Sequence, residues 1–276
     1  MNNHVLRALA YADIFDYPLT GKEIHHWAIG ESQPKIRATN KFHTLPNRQR
    51  LIALRQNKQP WNLQKKALAK KVGKWLQHIP TIQLIAITGA LAMNNADKDD
   101  DIDLMVITSP NRLWLTRLLV IPLLEILGIR RRPHNSLFVI PNSNNKICLN
   151  LWLDETALSV PKPQRSLYTA HEVAQIVPIF NKHRTYKKFL SANSWISRFL
   201  PNISIPNLPN SPNLPNSPNL PNLIAFQLQY LYMKSKMTRE KIGLHFAFFH
   251  PRNTGKLVMQ EYNKRLKKLD LIPWPK

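Results

Sequence analysis

The sequence predicts a protein of mixed α and β structure, α/β in an α+β arrangement. Three observations predict it. The apolar run Leu84-Ile85-Ala86-Ile87 stops at Thr88-Gly89 and has the length of a buried strand. Asp101 to Ile107 is a second strand, with Ile102 and Leu104 on one side and Asp101 and Asp103 on the other. Trp61 to Gln77 repeats apolar residues at helical spacing.

The 276 residues suffice for one large domain or two modest ones. The single cysteine, Cys148, excludes an intramolecular disulfide framework and a cysteine-based zinc site, and it fits a reducing, cytoplasmic setting. Lys and Arg total 39 against 16 Asp and Glu, giving a net charge of +23. That excess implies affinity for polyanions, nucleic acid among them; the plain alternative is solubilising charge. No signal peptide is visible in Met1 to Leu9. Leu113 to Ile129 is apolar, but it is short for a span and carries Arg117, Pro122 and Glu125. It is expected to be a helix buried beside the sheet, with no membrane as partner.

Taken in order, Val5 to Phe15 has helical spacing, and Pro18-Leu19 ends it. Thr20 with Glu23 three residues on predicts a capping box opening a helix over Gly21 to Ala28. Helix, turn, helix predicts a winged-helix-like module over residues 1–58, with Phe42 to Leu45 and Leu51 to Leu54 as wing strands. Arg37, Lys41, Arg48, Arg50 and Arg55 make it basic. It would contact nucleic acid or simply pack beside the core. In the helix from Trp61, the stripe Leu63, Ala67, Leu68, Val72, Trp75 and Leu76 is expected inside, and Lys65, Lys66, Lys70, Lys71 and Lys74 in solvent.

Beyond the Asp strand, Arg130-Arg131-Arg132 ends the apolar helix, where cations suit the helix dipole or could meet phosphates. Leu137 to Ile140 and Ile147 to Leu153 read as strands, the second showing Cys148, Asn150, Trp152 and Asp154 on one face. Tyr168 to Ile176 and Tyr186 to Phe199 read as helices in an extension over 161–200. His171 would line a cleft or sit as a satisfied helix residue. Residues 201–222, with PNLPNSP repeating, read as a Pro/Asn-rich linker that buries no core. Residues 223–276 are expected to form a C-terminal helical unit, with a helix ending at His245 to Pro251. His245 and His250 lack the spacing of a helical metal-ligand pair.

The central stretch carries the chemistry. Gly89-Ala90 follows a strand, ten residues intervene (Leu91 to Asp100), and Asp101-Ile102-Asp103-Leu104 follows. This resembles the signature of the polymerase-beta-type nucleotidyltransferase superfamily. With LWLTR, NLWLDE and YTAHE downstream, the chain resembles bacterial nucleotidyltransferase-domain proteins that carry an N-terminal helix-turn-helix-like segment. The resemblance implies a mixed-sheet nucleotidyltransferase core over 59–160, flanked by helices. It also implies a nucleoside triphosphate, ATP or another, bound at Thr88, Gly89 and Ala90. Asp101 and Asp103 would be catalytic and would ligate Mg²⁺ or Mn²⁺. The product would be a nucleotidylated acceptor of unknown identity, plus pyrophosphate. Physically, two carboxylates held side by side need a counter-charge, and hard cations supply it. A glycine lets backbone N–H groups approach phosphate closely.

Three positions depart from that pattern. Ala90 stands where Ser or Gly is usual, and Asn94 where a second Gly often stands. Asn150 falls where the third acid is expected, with Asp154, or the loop acids Asp97, Asp99 and Asp100, as substitutes. An amide binds Mg²⁺ more weakly than a carboxylate and cannot act as a base. The alternative function is therefore a catalytically weak or inactive regulator that binds nucleotide or nucleic acid on the same fold.

Overall fold

A computed structural model describes residues 3–30, 39–131, 145–208, 219–235, 237, 240–249 and 254–275. The expected strand at Leu137 to Ile140, most of the Pro/Asn repeat, Arg37, Arg132 and His250 lie outside these residues.

The N-terminal part comprises α1 (Asn3–Asp13), β1 (Leu19–Thr20), α2 (Gly21–His26) and β2 (Phe42–His43). The capping box is present. Glu23 N donates to Thr20 Oγ1 at 3.2 Å, and Thr20 N donates to Glu23 Oε2 at 2.8 Å. Arg55 holds the same carboxylate through both terminal nitrogens at 2.7 Å. The second wing strand does not form. β1 pairs with β2, and Leu51 to Leu54 belongs to α3 (Arg50–Leu76). Residue pair 58/59, expected as a boundary, lies inside that helix, so one rod serves both parts. Its inner face also differs from expectation. Leu63 and Ala67 are exposed, whereas Lys65 is buried, its Nζ donating to Lys98 O at 3.0 Å and Asn145 Oδ1 at 2.7 Å. A periodicity count cannot foresee three backbone and amide acceptors arranged to take an ammonium.

The chain is a mixed α/β protein. β3 (Ile82–Ile87) leads through α4 (Gly89–Ala92) to β4 (Ile102–Thr108), and α5 (Leu113–Ile126) leads to β5 (Ile147–Asp154). α6 (Leu167–Ala174), β6 (Val177–Asn181) and α7 (Thr185–Ala192) follow. Then come α8 (Leu220–Lys234), β7 (Lys241–Ile242), β8 (Phe246–Phe248) and α9 (Thr254–Lys268). The main sheet has the order β6-β3-β4-β5-β8-β7. β4 is antiparallel to β3 and parallel to β5. Being central, β3 and β4 bury almost every residue, which is why both read as apolar runs.

Alternation along β4 feeds two cores. Ile102, Leu104 and Val106 meet α3, α5 and Trp152 on one face. Met105 and Ile107 face a second core built from α1, α2, α6, α7 and α9. α5 lies against the sheet as expected, and no helix of the described residues is long and apolar enough to cross a membrane.

The C-terminal part is not a separate helical unit. The segment around His245 is a hairpin, β7–β8, which extends the main sheet at β5. α9 packs into the second core through Val258, Tyr262 and Leu266. The expected linker also ends early, because α8 starts at Leu220 with Asn219 as its cap. Asn222 is buried, and its Oδ1 accepts from Trp114 N at 2.9 Å and Leu115 N at 3.2 Å, capping α5. The helix expected over Tyr186 to Phe199 is broken at buried Asn193, which ties Leu158 O and Val160 N to α7 and starts a 3-10 turn.

Asn222→Ala leaves one buried and one part-buried N–H group without its side-chain acceptor. The expected loss is about 1–3 kcal/mol of unfolding free energy in a denaturant titration. An inert linker residue would give no change.

Candidate functional site

The site begins at the end of β3. Thr88 is extended and its N–H donates to Asp103 O at 3.0 Å, which carries the β3–β4 pairing one step past the strand. Gly89 then turns left-handed at φ +61°. A Cβ there would lie 3.0 Å from Asp103 Oδ2, so the carboxylate sits directly under the turn. Asn94, at φ +58°, closes the segment in the other left-handed position, as its side chain allows. Asn95 N donates to Ala90 O at 2.9 Å. Thr88 Oγ1 is buried and has no hydrogen-bond partner among the described residues.

Asp101 and Asp103 are brought together, and their counter-charge is Arg131. Arg131 Nε meets Asp101 Oδ2 at 2.8 Å, and its Nη1 approaches Cys148 Sγ at 3.9 Å. Cys148 is the register partner of Asp103 on β5, and its thiol favours the ionised form of that carboxylate. Burial raises the Asp103 carboxyl to about 6, against the lowering effects of the Cys148 thiol and Arg131. Burial also raises Cys148 to about 12, so it stays a thiol. The Arg131 guanidinium was one of three adjacent arginines in the sequence, and nothing local distinguished it. Arg130 pairs with Glu125.

Asn150 is not the ladder neighbour of Asp103. The β4–β5 register shifts between Leu104↔Leu149 and Met105↔Leu151, which leaves Asn150 in a bulge. Cys148 is the residue beside Asp103 instead. The bulge also sends Trp152 into the opposite core, so strict alternation fails beyond Leu149. Asn150 Oδ1 is buried without a partner among the described residues. Asp154 pairs with Thr108 at the far end of β4 and accepts from Asn111 N, Thr156 N and His245 Nδ1. It is a structural cap for the β4 exit and does not reach Asp101 or Asp103. Asp97, Asp99 and Asp100 are exposed in the loop, Asp97 pairing with Lys58 at 3.0 Å.

Among the described residues no three His, Cys, Asp or Glu side chains form a metal-holding group. The residues present fit a divalent cation that arrives with phosphate oxygens. Two hard carboxylates and a glycine cradle suit Mg²⁺, which is commonly held by one or two carboxylates and completed by substrate phosphates and water.

A cavity of about 250 Å³ opens beside Gly89 and Ala90, between α1, α4 and α6. His171 lines it, and neither sequence reading of this residue holds alone. The ring is buried and stacks on Tyr11 at 3.9 Å, yet its Nε2 has no partner among the described residues. Glu172, the next residue, also faces the cavity, and Asp103 is close enough to act on its charge. Burial raises Glu172 to about 7, against the lowering effect of the Gln175 hydrogen bond at 2.7 Å, and the Asp103 charge adds to the rise. The sequence held no signal for this residue, because the approach of α6 to the Gly turn is a tertiary fact.

No protein-family model, curated protein or solved structure matches the chain.

Gly89→Ala combines a left-handed strain of about 1 kcal/mol with a methyl pressed on Asp103 Oδ2. The expected result is a lower melting temperature, whereas Ala90→Gly, outside that contact, changes it little. His171 offers a pH readout. Burial depresses it from the ordinary 6.5 to about 3, with the neighbouring His26 adding to the depression. The unfolded chain then binds the proton that the folded chain refuses. Its contribution is present above pH 6.5 and is lost as pH falls towards 3, by at most about 1.4 kcal/mol per pH unit. Glu172 works in the opposite sense, losing stability as pH rises towards 7. The difference between wild type and His171→Phe, measured by denaturation from pH 7 to 4, isolates the histidine. It should favour the variant increasingly at acid pH.

Proposed function

We propose that the chain is a metal-dependent nucleotidyltransferase, moving a nucleoside monophosphate from a triphosphate to an acceptor hydroxyl. The observation that carries this reading is Asp103 lying under the left-handed Gly89 turn, where a Cβ would come within 3.0 Å of its carboxylate. A turn so bare of side chain admits phosphate oxygens beside a carboxylate pair. Support also comes from the unpartnered Thr88 hydroxyl at the same turn, which could donate to a phosphate oxygen. The expected mixed sheet, with the acids on its central strand, agrees with the reading.

Asp101 and Asp103 would hold the divalent cation. That cation, when bound, neutralises charge on the triphosphate. The chain's own residues do the rest. Thr88 and the Gly89 turn orient the triphosphate. The acceptor oxygen forms a bond to the α-phosphorus as the bond to the pyrophosphate oxygen breaks. Pyrophosphate leaves with the electron pair, and the hydroxyl proton passes to Asp103. Arg131, paired with Asp101, would face the negative charge that develops as the bond to pyrophosphate breaks.

A second reading is favoured by Arg131 and Cys148. They complete the Asp pair without a third carboxylate, which suits a protein that binds nucleotide and transfers slowly or not at all. The basic surface of α3, with exposed Lys70, Lys71 and Lys74 and no acidic residue in the helix, supports nucleic acid as a further partner in that case.

Purified protein incubated with each nucleoside triphosphate and Mg²⁺ should release pyrophosphate. Asp101→Asn and Asp103→Asn should each reduce the rate by at least about 100-fold. Triphosphate binding without release supports the second reading, and no binding in the presence of Mg²⁺ sinks both.

A further inference from the structure

We propose that the cavity beside the Gly89 turn is a binding site for a small organic cation, an ammonium held against aromatic faces and Glu172. The wall is built from Tyr11, Phe15, Tyr17, Trp27 and Tyr168, with Glu172 as its carboxylate. Aromatic faces carry negative potential and attract cations, and the attraction grows when the site is dry. The charge pattern points the same way. The chain carries +23, yet among the described residues no Lys or Arg lines this cavity. Among the described residues no Lys or Arg forms an ion pair with Glu172, and Asp103 adds its own negative potential. An anionic ligand would face acidic groups without compensation, while a cation would restore charge balance to a desolvated carboxylate.

The cavity wall already engages a cation from outside. Arg55 lies 4.1 Å from the centroid of the Tyr17 ring and 4.9 Å from that of Phe42. The guanidinium is neutralised by Glu23 at 2.7 Å, outside the cavity. The inside of the cavity also sets aromatic side chains beside a carboxylate, Glu172. His171 is held neutral by burial and so does not repel an incoming ammonium.

Gly89 and Ala90 form one edge of the cavity. A cation seated here therefore lies beside the place assigned to the triphosphate. That makes a hydroxyl-bearing ammonium compound the acceptor class, a step that rests on the transferase reading. The cation site itself does not.

Choline and its uncharged isostere 3,3-dimethylbutan-1-ol have nearly the same shape, so titration calorimetry of the full chain with each isolates the charge. Adenosine serves as a third probe. Choline should bind at least about ten-fold more tightly than the isostere. Glu172→Gln and, separately, Tyr17→Leu should each weaken choline by a similar factor, with circular dichroism spectra unchanged. Equal affinity for choline and the isostere overturns the proposal, as does choline binding indifferent to Glu172→Gln. Adenosine binding that Tyr17→Leu abolishes, with no choline binding, overturns it in favour of a nucleobase slot. No nucleotide is present in these titrations, so failure of the transferase reading leaves their outcome unchanged. With the cation site established, pyrophosphate release stimulated by choline tests the acceptor assignment separately.

Discussion

The arrangement depends on one close approach, that of the Asp103 carboxylate to the Gly89 backbone. β3 and β4 are antiparallel neighbours, so the exit of one lies beside the entry of the other. The Thr88 N–H to Asp103 carbonyl bond extends the ladder past the strand end and fixes that neighbourhood. The chain must then leave the sheet at once, over a side chain it cannot displace. A left-handed residue without a Cβ satisfies both demands. Everything later in the site is referenced to this corner: Arg131 through Asp101, Cys148 through its register with Asp103, and α6 through the cavity above the turn.

What the sequence made legible is what backbone chemistry and local spacing dictate. The Thr20–Glu23 box, the two central strands, the Gly89 turn and the left-handed Asn94 each follow from residues within a few positions of one another. The unforeseen features depend on distant partners. Lys65 reads as surface until Lys98, Asp100 and Asn145 are seen converging on it. Leu51 to Leu54 reads as strand by apolar content, but it continues into a helix whose first turns are anchored by Arg55 on Glu23. His245 to Phe249 looks like a helix end because aromatic residues suit both states, and only the free edge of β5 decides for strand.

The Asn150 bulge shows how a small backbone irregularity redirects a chemical expectation. Aligning β5 with the resembled superfamily's third-acid strand put an amide beside the Asp pair. The bulge takes that amide out of the ladder, while the thiol of Cys148 is the register neighbour of Asp103. Cys148 is a weak donor held protonated, so it stabilises the carboxylate without competing as a base. The expected weakness, an amide in place of an acid, is thereby replaced by a different one. Arg131 supplies a counter-charge to the Asp pair from within the chain, paired with Asp101.

That replacement bears on how the site could work. A carboxylate pair with a fixed third acid would attract a cation at all times, because its charge would stand uncompensated. Here Arg131 is bonded to Asp101 through Nε; the guanidinium is part-exposed, while the Asp101 side chain is only 16% exposed. On the proposed reading, a metal-bound triphosphate would bring positive charge for the Asp pair together with oxygen ligands of its own, which a bare ion would not. The aromatic cavity with Glu172 next to it would suit a partner of opposite charge. Two oppositely charged ligands would thus meet at Gly89.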